Sequence, residues 1–378
     1  MNKTVVKIVS IVMVLILMLC TFAGCGDETQ YEKDPNFVEQ TTEPTTEPEE
    51  EVPVNMNPLT GKLDLSESAQ GSRPIAIMVE NQPVARPQWG ITSPDLIVEG
   101  LVEGGVTRMM WVYADANSIP NKVGPVRSAR HDFVELAAGM NAIYGHWGGS
   151  DGKNLGKYMA YQAFEKFDVD NIDGTKYEGK YFFRDTTRNV SLEHRGYVTK
   201  SSIQKAIKDL GISTKQTVED WVPYKVAVEG GKIPWNDSIS DSGPCSEISV
   251  TYSSNYVYTF KYDTKDKLFY SYLNGKQVTD GNNKEALSFK NAIFLYVPVE
   301  SMNTDKGHVE WRFDAKNIDN KGFYVVEGTG QRISWKFDEK TGSLKLYDFN
   351  NDPLTVHSGN VYIGIVPIDN RELTTVVG

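Results

Sequence analysis

Residues 74–79 read Pro-Ile-Ala-Ile-Met-Val and residues 108–113 read Arg-Met-Met-Trp-Val-Tyr. These are short apolar runs without polar alternation, the pattern of strands covered on both faces. Ala142 to Tyr144 reads as a further strand and His131 to Ala138 as a helix. A second helix runs from Ser201 to Leu210, with Thr199 as its cap and Gly211 as its stop. Strands alternating with helices predict an α/β (α+β) N-terminal domain over 72–222. After Trp221 the helical pattern ends. Residues 248–252, 256–262, 267–273, 292–299, 322–326, 332–337, 343–347 and 360–366 all read as strands, and Asn274-Gly275 signals a type I′ hairpin. The expectation is a mostly antiparallel β C-terminal domain over 223–378.

Upstream, Lys3 and Lys7 precede an apolar stretch from Ile8 to Cys20, closed by Phe22-Ala23-Gly24-Cys25. This is a secretion signal over 1–24 followed by a lipidated Cys25, because an apolar helix of that length rises only about 20 Å against a hydrocarbon core of roughly 30 Å. Diacylglycerol on Cys25, with or without an added amide chain, supplies the acyl chains that stable attachment needs. The expected location is the extracytoplasmic face of the cell membrane, with the membrane itself as a partner. Cys20 leaves with the signal, so Cys245 alone stays unmodified and no intramolecular disulfide forms. With no histidine near it in sequence, Cys245 reads as a small strand-edge residue.

The formal net charge is -11. Most of it lies between 26 and 55, where ten acids face Lys33 alone. With the near-repeat Thr-Thr-Glu-Pro-Thr-Thr-Glu-Pro at 41–48, residues 25–71 read as a lipidated cysteine and a disordered acidic tether. The remainder is close to balanced, which argues against a nucleic-acid partner.

Within 72–222, arginines gather among glycines: Arg86, Arg108, Arg127, Arg130, Arg184, Arg188 and Arg195. Guanidinium forks suit carboxylate and phosphate oxygens. The run Arg127-Ser128-Ala129-Arg130 stands just before a helix, where backbone N–H groups also favour an anion. The candidate ligand-binding set is Arg86, Arg108, Arg127, Ser128, Arg130, His146, Ser150, Arg184, Arg188 and His194. The alternative left open is that the arginines pair internally with Glu80, Glu99, Glu103 and Asp132. Glu99, Glu103 and His146 are the candidates for acid/base work. Glu99 and Glu103 would have Cβ atoms about 6 Å apart on a helix and about 13 Å apart on a strand, which excludes joint action on one bond. No metal-ligand spacing, nucleophile elbow or dinucleotide fingerprint is present, so neither a metal nor a cofactor is expected. Gly328-Thr329-Gly330 reads as a hairpin turn. The aromatic-rich second half fits a packed sandwich, or else a carbohydrate platform.

Glu80-Asn81, Ala85-Arg86-Pro87-Gln88, Val98-Glu99, Val102 to Arg108, Gly124 to Arg130 and His146-Trp147-Gly148-Gly149-Ser150 occur in that order, followed by Tyr262-Asp263, Trp335-Lys336 and Gly359 to Pro367. Together they resemble the YerB-like lipoproteins of Firmicutes over nearly all of 72–370. The resemblance implies an envelope location and a two-part architecture, in a family without an assigned activity. Where that family shows Pro-His-Asn-x-Tyr, this chain has Glu193-His194-Arg195-Gly196-Tyr197.

Three functions compete on this reading. One is an envelope lipoprotein holding an anionic cell-wall or lipid-linked ligand. Another is an enzyme on a phosphate-bearing or glycan wall substrate, suggested by a likeness of motif order to the LytR-CpsA-Psr transferases. The last is a scaffold whose β domain engages another envelope protein through an exposed sheet edge.

Overall fold

The apolar runs become the centre of one large mixed sheet. The computed structural model describes residues 52–231, 242–316 and 320–378. The signal, Cys25 and the expected tether up to 51 lie outside the described residues. Strands β1 (Ile75–Glu80), β2 (Leu96–Leu101), β3 (Thr107–Tyr113), β4 (Ile143–His146) and β5 (Asn171–Asp173) come from the first half. The second half adds β6 (Glu247–Ser253), β7 (Tyr256–Asp263), β8 (Leu268–Leu273), β9 (Asn291–Val297), β10 (Lys321–Val326), β11 (Thr329–Asp338), β12 (Ser343–Tyr347) and β13 (Val361–Pro367). Among the described residues the main sheet runs β12-β11-β10-β9-β13-β2-β3-β1-β4-β5, with Ser242–Pro244 paired to β11. A smaller antiparallel sheet holds Lys276–Gln277, β8, β7, β6 and Thr375–Val377, with Ser288–Phe289 on β8.

The fold class is that expected, a mixed-sheet first half followed by mainly antiparallel strands. The seam between the halves is a ladder: β13 runs parallel to β2 and to β9. Strand β2 had not been marked as a strand. Its residues are buried as far as Gly100, so it shows no alternation, and its acid and glycine masked the apolar run.

Helices α1 (His131–Gly139) and α2 (Ala160–Phe167) cover one face of the sheet, where Ala76, Met78, Val98, Met110 and Val112 meet Phe133, Val134 and Phe164. The other face carries Ile75, Ile77, Val79, Met109 and Trp111, packed against α3 (Lys200–Leu210) and the smaller sheet. Thr199 caps α3 by accepting from Ser202 N, and Gly211 closes it in the left-handed conformation. Both expected hairpins form, with positive φ at Asn274 and Gly275 and at Glu327 and Gly328. Tyr252, Tyr256, Tyr258, Trp311 and Trp335 are buried and fill the core, whereas Tyr262, Tyr270 and Tyr272 are half-buried. Cys245 is fully buried, and its thiol is pushed up to about 12 by burial.

The folded part starts well before 72. Leu59, Leu65 and Ala69 lie in the core, the Tyr224 hydroxyl donates to Leu59 O at 3.1 Å, and Asn57 reaches Asp95 at 3.0 Å. Residues 52–71, expected to belong to the tether, are therefore part of the folded body.

Candidate functional site

Strands β1, β4 and β5 are parallel neighbours, and β2 points the same way through its antiparallel partner β3. Their carboxyl ends share one edge of the sheet, the edge where open α/β sheets present ligands. The motifs 124–130 and 146–150 meet there. Residues 125–127 lie antiparallel to the end of β1, with Glu80 N donating to Pro125 O and Arg127 N to Met78 O, both at 2.9 Å. Trp147 N donates to Arg127 O, Ala129 N to Gly148 O and Ser150 N to Ala129 O. Gly148 makes this turn at φ 74°. The two motifs thus form one backbone ridge with a cavity on each side.

One cavity, of about 510 Å³, is lined by Val126, Arg127, Trp147, Arg184, Ser191, Leu192 and Glu193. The other, of about 490 Å³, is lined from the ridge by Ser128, Arg130, Gly149 and Ser150, and from elsewhere by Asp151, Leu155, Lys157 and residues of the 303–308 loop. Arg108, Arg127 and Arg130, all in the candidate ligand-binding set, do not line one cavity. Arg127 opens into the first cavity, Arg130 into the second, and Arg108 is 3% exposed beneath the ridge.

The ridge arginines carry carboxylate partners. Arg130 Nε donates to Glu103 Oε2 at 2.8 Å, its Nη2 reaches Oε1 of the same carboxylate, and Arg108 Nη2 lies 3.3 Å from that oxygen. Arg108 Nη1 also donates to Ser128 O at 2.8 Å. Burial opposes ionisation of Glu103, but Arg130 and Arg108 hold its carboxyl well below the usual carboxylate range. Burial, with Arg130 alongside, pulls Arg108 down to about 9. Two guanidiniums thus share one carboxylate, leaving surplus positive charge at the wall of the second cavity. On the other side of the ridge the buried Glu80 accepts from Arg127 Nε at 3.2 Å and binds His194 Nδ1 at 2.8 Å. Of the four acids expected to pair internally, Glu80 and Glu103 do so. Asp132 instead accepts from Trp311 N at 2.7 Å.

Glu99 sits apart from both cavities. It is fully buried on β2 and accepts from Asn81 Nδ2 (2.9 Å), Thr107 Oγ1 (2.5 Å) and Tyr362 OH (2.8 Å). Burial pushes its carboxyl up to about 7. Glu103 lies in a short 3-10 turn beyond β2 rather than on a shared helix. The pair therefore lacks the helical geometry that joint acid/base chemistry required. His146, the remaining candidate for acid/base work, lines neither cavity. It is fully buried, stacks on Phe164 at 4.8 Å and meets Gly148 O and Asn171 Oδ1 at 2.7 and 3.1 Å. Burial lowers its basicity.

The other expected residues are spread around the edge. Arg184 pairs with Glu178 and lies over Trp147 at 4.3 Å, whereas Arg188 lies over Trp89 at 4.3 Å and donates to Pro87 O. Arg86 donates to Asn81 O at 2.7 Å, and Arg195 to Val190 O at 2.6 Å. Ser150 Oγ accepts from Ala160 N at 3.2 Å, joining the ridge to α2. The sequence reading missed Lys157, Lys306 and His308. Lys306 and His308 reach the second cavity from a segment remote in sequence, and Lys157 from the loop that follows Ser150, with no local pattern marking the approach.

The chain belongs to a two-part family of unknown function. Its models, described as "Protein of unknown function (DUF3048) N-terminal domain" and "C-terminal domain", match residues 59–213 and 248–363. Among curated proteins, "Putative lipoprotein YerB" of Bacillus subtilis (strain 168) is 29% identical over 289 residues, covering 74% of this chain and 77% of that protein. The crystal structure of the Bacillus subtilis YerB protein superposes with a TM-score of 0.67 at 25% identity, covering 85% of this chain and 99% of that one. The likeness supports reading the chain as a lipoprotein.

Proposed function

We propose that this chain is a surface lipoprotein, anchored through Cys25 on the extracytoplasmic face, whose folded part binds an anionic envelope ligand in the 490 Å³ cavity at Arg130. The observation that carries this reading is the shared carboxylate: Arg108 and Arg130 divide Glu103 between them. An anion at the cavity wall would meet that surplus charge, Lys157, the exposed Lys306, and the hydroxyls of Ser128, Ser150 and Thr304. Asp151 and Asp305 are the carboxylates it would have to avoid. Guanidinium N–H groups in a partly desolvated setting make charge-assisted hydrogen bonds to carboxylate or phosphate. Binding is favoured over turnover because Glu103 is committed to two cations and Glu99 is enclosed.

The test is a thermal-shift titration of the detergent-solubilised full-length chain with pyrophosphate, beside Lys306→Glu. Lys306 is exposed, so reversing its charge leaves the core untouched. Ligand at a hundred times its dissociation constant adds about 2.7 kcal/mol of stability. The expected result is a saturable rise in Tm that weakens at least about tenfold in the variant, the size of one lost charge-assisted contact. An equal shift in both proteins, or none in either, overturns the assignment.

A further inference from the structure

The residue after Arg130 begins a different environment. His131 and Asp132 at the start of α1, with Glu135, Tyr158, Lys166 and Glu310, line a separate cavity of about 160 Å³, to which Asp314 and Glu339 add further carboxylates. Five carboxyl groups thus face one lysine, with Asp314 already held by Arg312 at 2.7 and 2.9 Å. The acids crowd one another: burial, with Glu310 nearby, pushes Asp132 up to about 8, and burial, with Asp132 nearby, pushes Glu135 up. A second observation concerns His131. It is 3% exposed, and its Nε2 has no hydrogen-bond partner, lying 3.3 Å from Asp132 Oδ1 without the alignment of a hydrogen bond. Burial lowers its basicity. A buried ring nitrogen left unused costs free energy unless a ligand satisfies it.

We propose that this cavity binds a primary ammonium group. Such a group carries a compact charge and three N–H donors, and Glu135, Glu310 and, in the tautomer protonated at Nδ1, His131 Nε2 are the acceptors it would meet. Trp311 and Phe313 complete the wall with aromatic carbon. Among the described residues no three His, Cys, Asp or Glu side chains are placed to hold a metal ion directly, which favours N–H donors over direct metal ligation. The size suits the end of an aminoalkyl chain, an amino sugar or an amino-acid ester. The inference stands independently of the anion cavity, whose lining it does not use.

The experiment titrates methylammonium chloride into the detergent-solubilised full-length chain at constant ionic strength, following Tm. Tetramethylammonium, which has no N–H donors, and sodium serve as controls, and magnesium, calcium and zinc chlorides form a separate arm. The expected result is a saturable rise with methylammonium alone, weakened at least about tenfold in both Glu310→Gln and Glu135→Gln. Both variants remove charge from a crowded acidic site and so should fold. Equal responses to all monovalent cations, persistence of the methylammonium response in both variants, or a response only to a divalent metal would each overturn the proposal.

Discussion

Glu99 shows how burial rather than sequence spacing fixes the chemistry of a carboxylate. It has no charged hydrogen-bond partner, and burial raises its pKa from 4.5 to about 7 despite three donors. The folded protein therefore holds a proton that the unfolded chain has released. Stability contributed by this group is fully present below pH 4.5 and is lost as pH rises to about 7, by up to ~3 kcal/mol. Glu99→Gln keeps the shape, accepts from Asn81 and Thr107, and donates to Tyr362, whose hydroxyl can turn toward Tyr252 at 2.7 Å. Urea unfolding from pH 4.5 to 8 should show the variant more stable than the parent at pH 8 and flatter through the window. A variant that is less stable at pH 8 would mean that the ionised carboxylate is the form the fold prefers. In the sequence, Glu99 and Glu103 look alike. One is sealed among hydroxyls and the other clamped by guanidiniums, a difference set by where β2 ends.

At the scale of elements, α1 was legible from residues 131–138, but the contact that seats it was not. Gly139 ends the helix against the β11–β12 hairpin, where an added Cβ would stand 2.1 Å from Gly342 O. On an exposed helix, Gly→Ala gains up to about 1 kcal/mol. Here the obstacle is backbone, so Gly139→Ala should lose about 1–3 kcal/mol, the usual range for overpacking, measured by chemical denaturation. The ridge follows the same logic. Its two motifs were visible as sequence, yet their pairing through Trp147, Ala129 and Ser150 N–H groups is what sets Arg127 and Arg130 on different cavities.

For the whole molecule, the main sheet ties the two halves together: β13, near the end of the chain, lies between β2 and β9. The segment 52–71 is bound into the same body, with Gly359 N donating to Thr60 O and Glu229 N to Gly61 O, both at 2.8 Å. A chain begun at 72 would lose the buried side chains of Leu59 and Leu65 and expose the surface beneath them. It should unfold at clearly lower temperature than one begun at 52, by several kcal/mol of stability, since each buried leucine is worth about 2–5 kcal/mol when removed. Equal melting temperatures would show that this segment packs without contributing.

The sequence by itself determined β1, β3, β4 and most C-terminal strands, helices α1 and α3, both tight hairpins, the cap of α3 and the arginine-rich motifs, because these depend on periodicity, turn chemistry and residue type over a few neighbours. It did not determine β2, β5 or α2. Only the tertiary structure decided that Arg108 and Arg130 share Glu103, that His146 is enclosed, that Lys157 and Lys306 reach the ridge, and that His131 opens into an acidic cavity. Those outcomes depend on which strands lie side by side and on how much water each group keeps. Neither quantity is carried by a local stretch of chain.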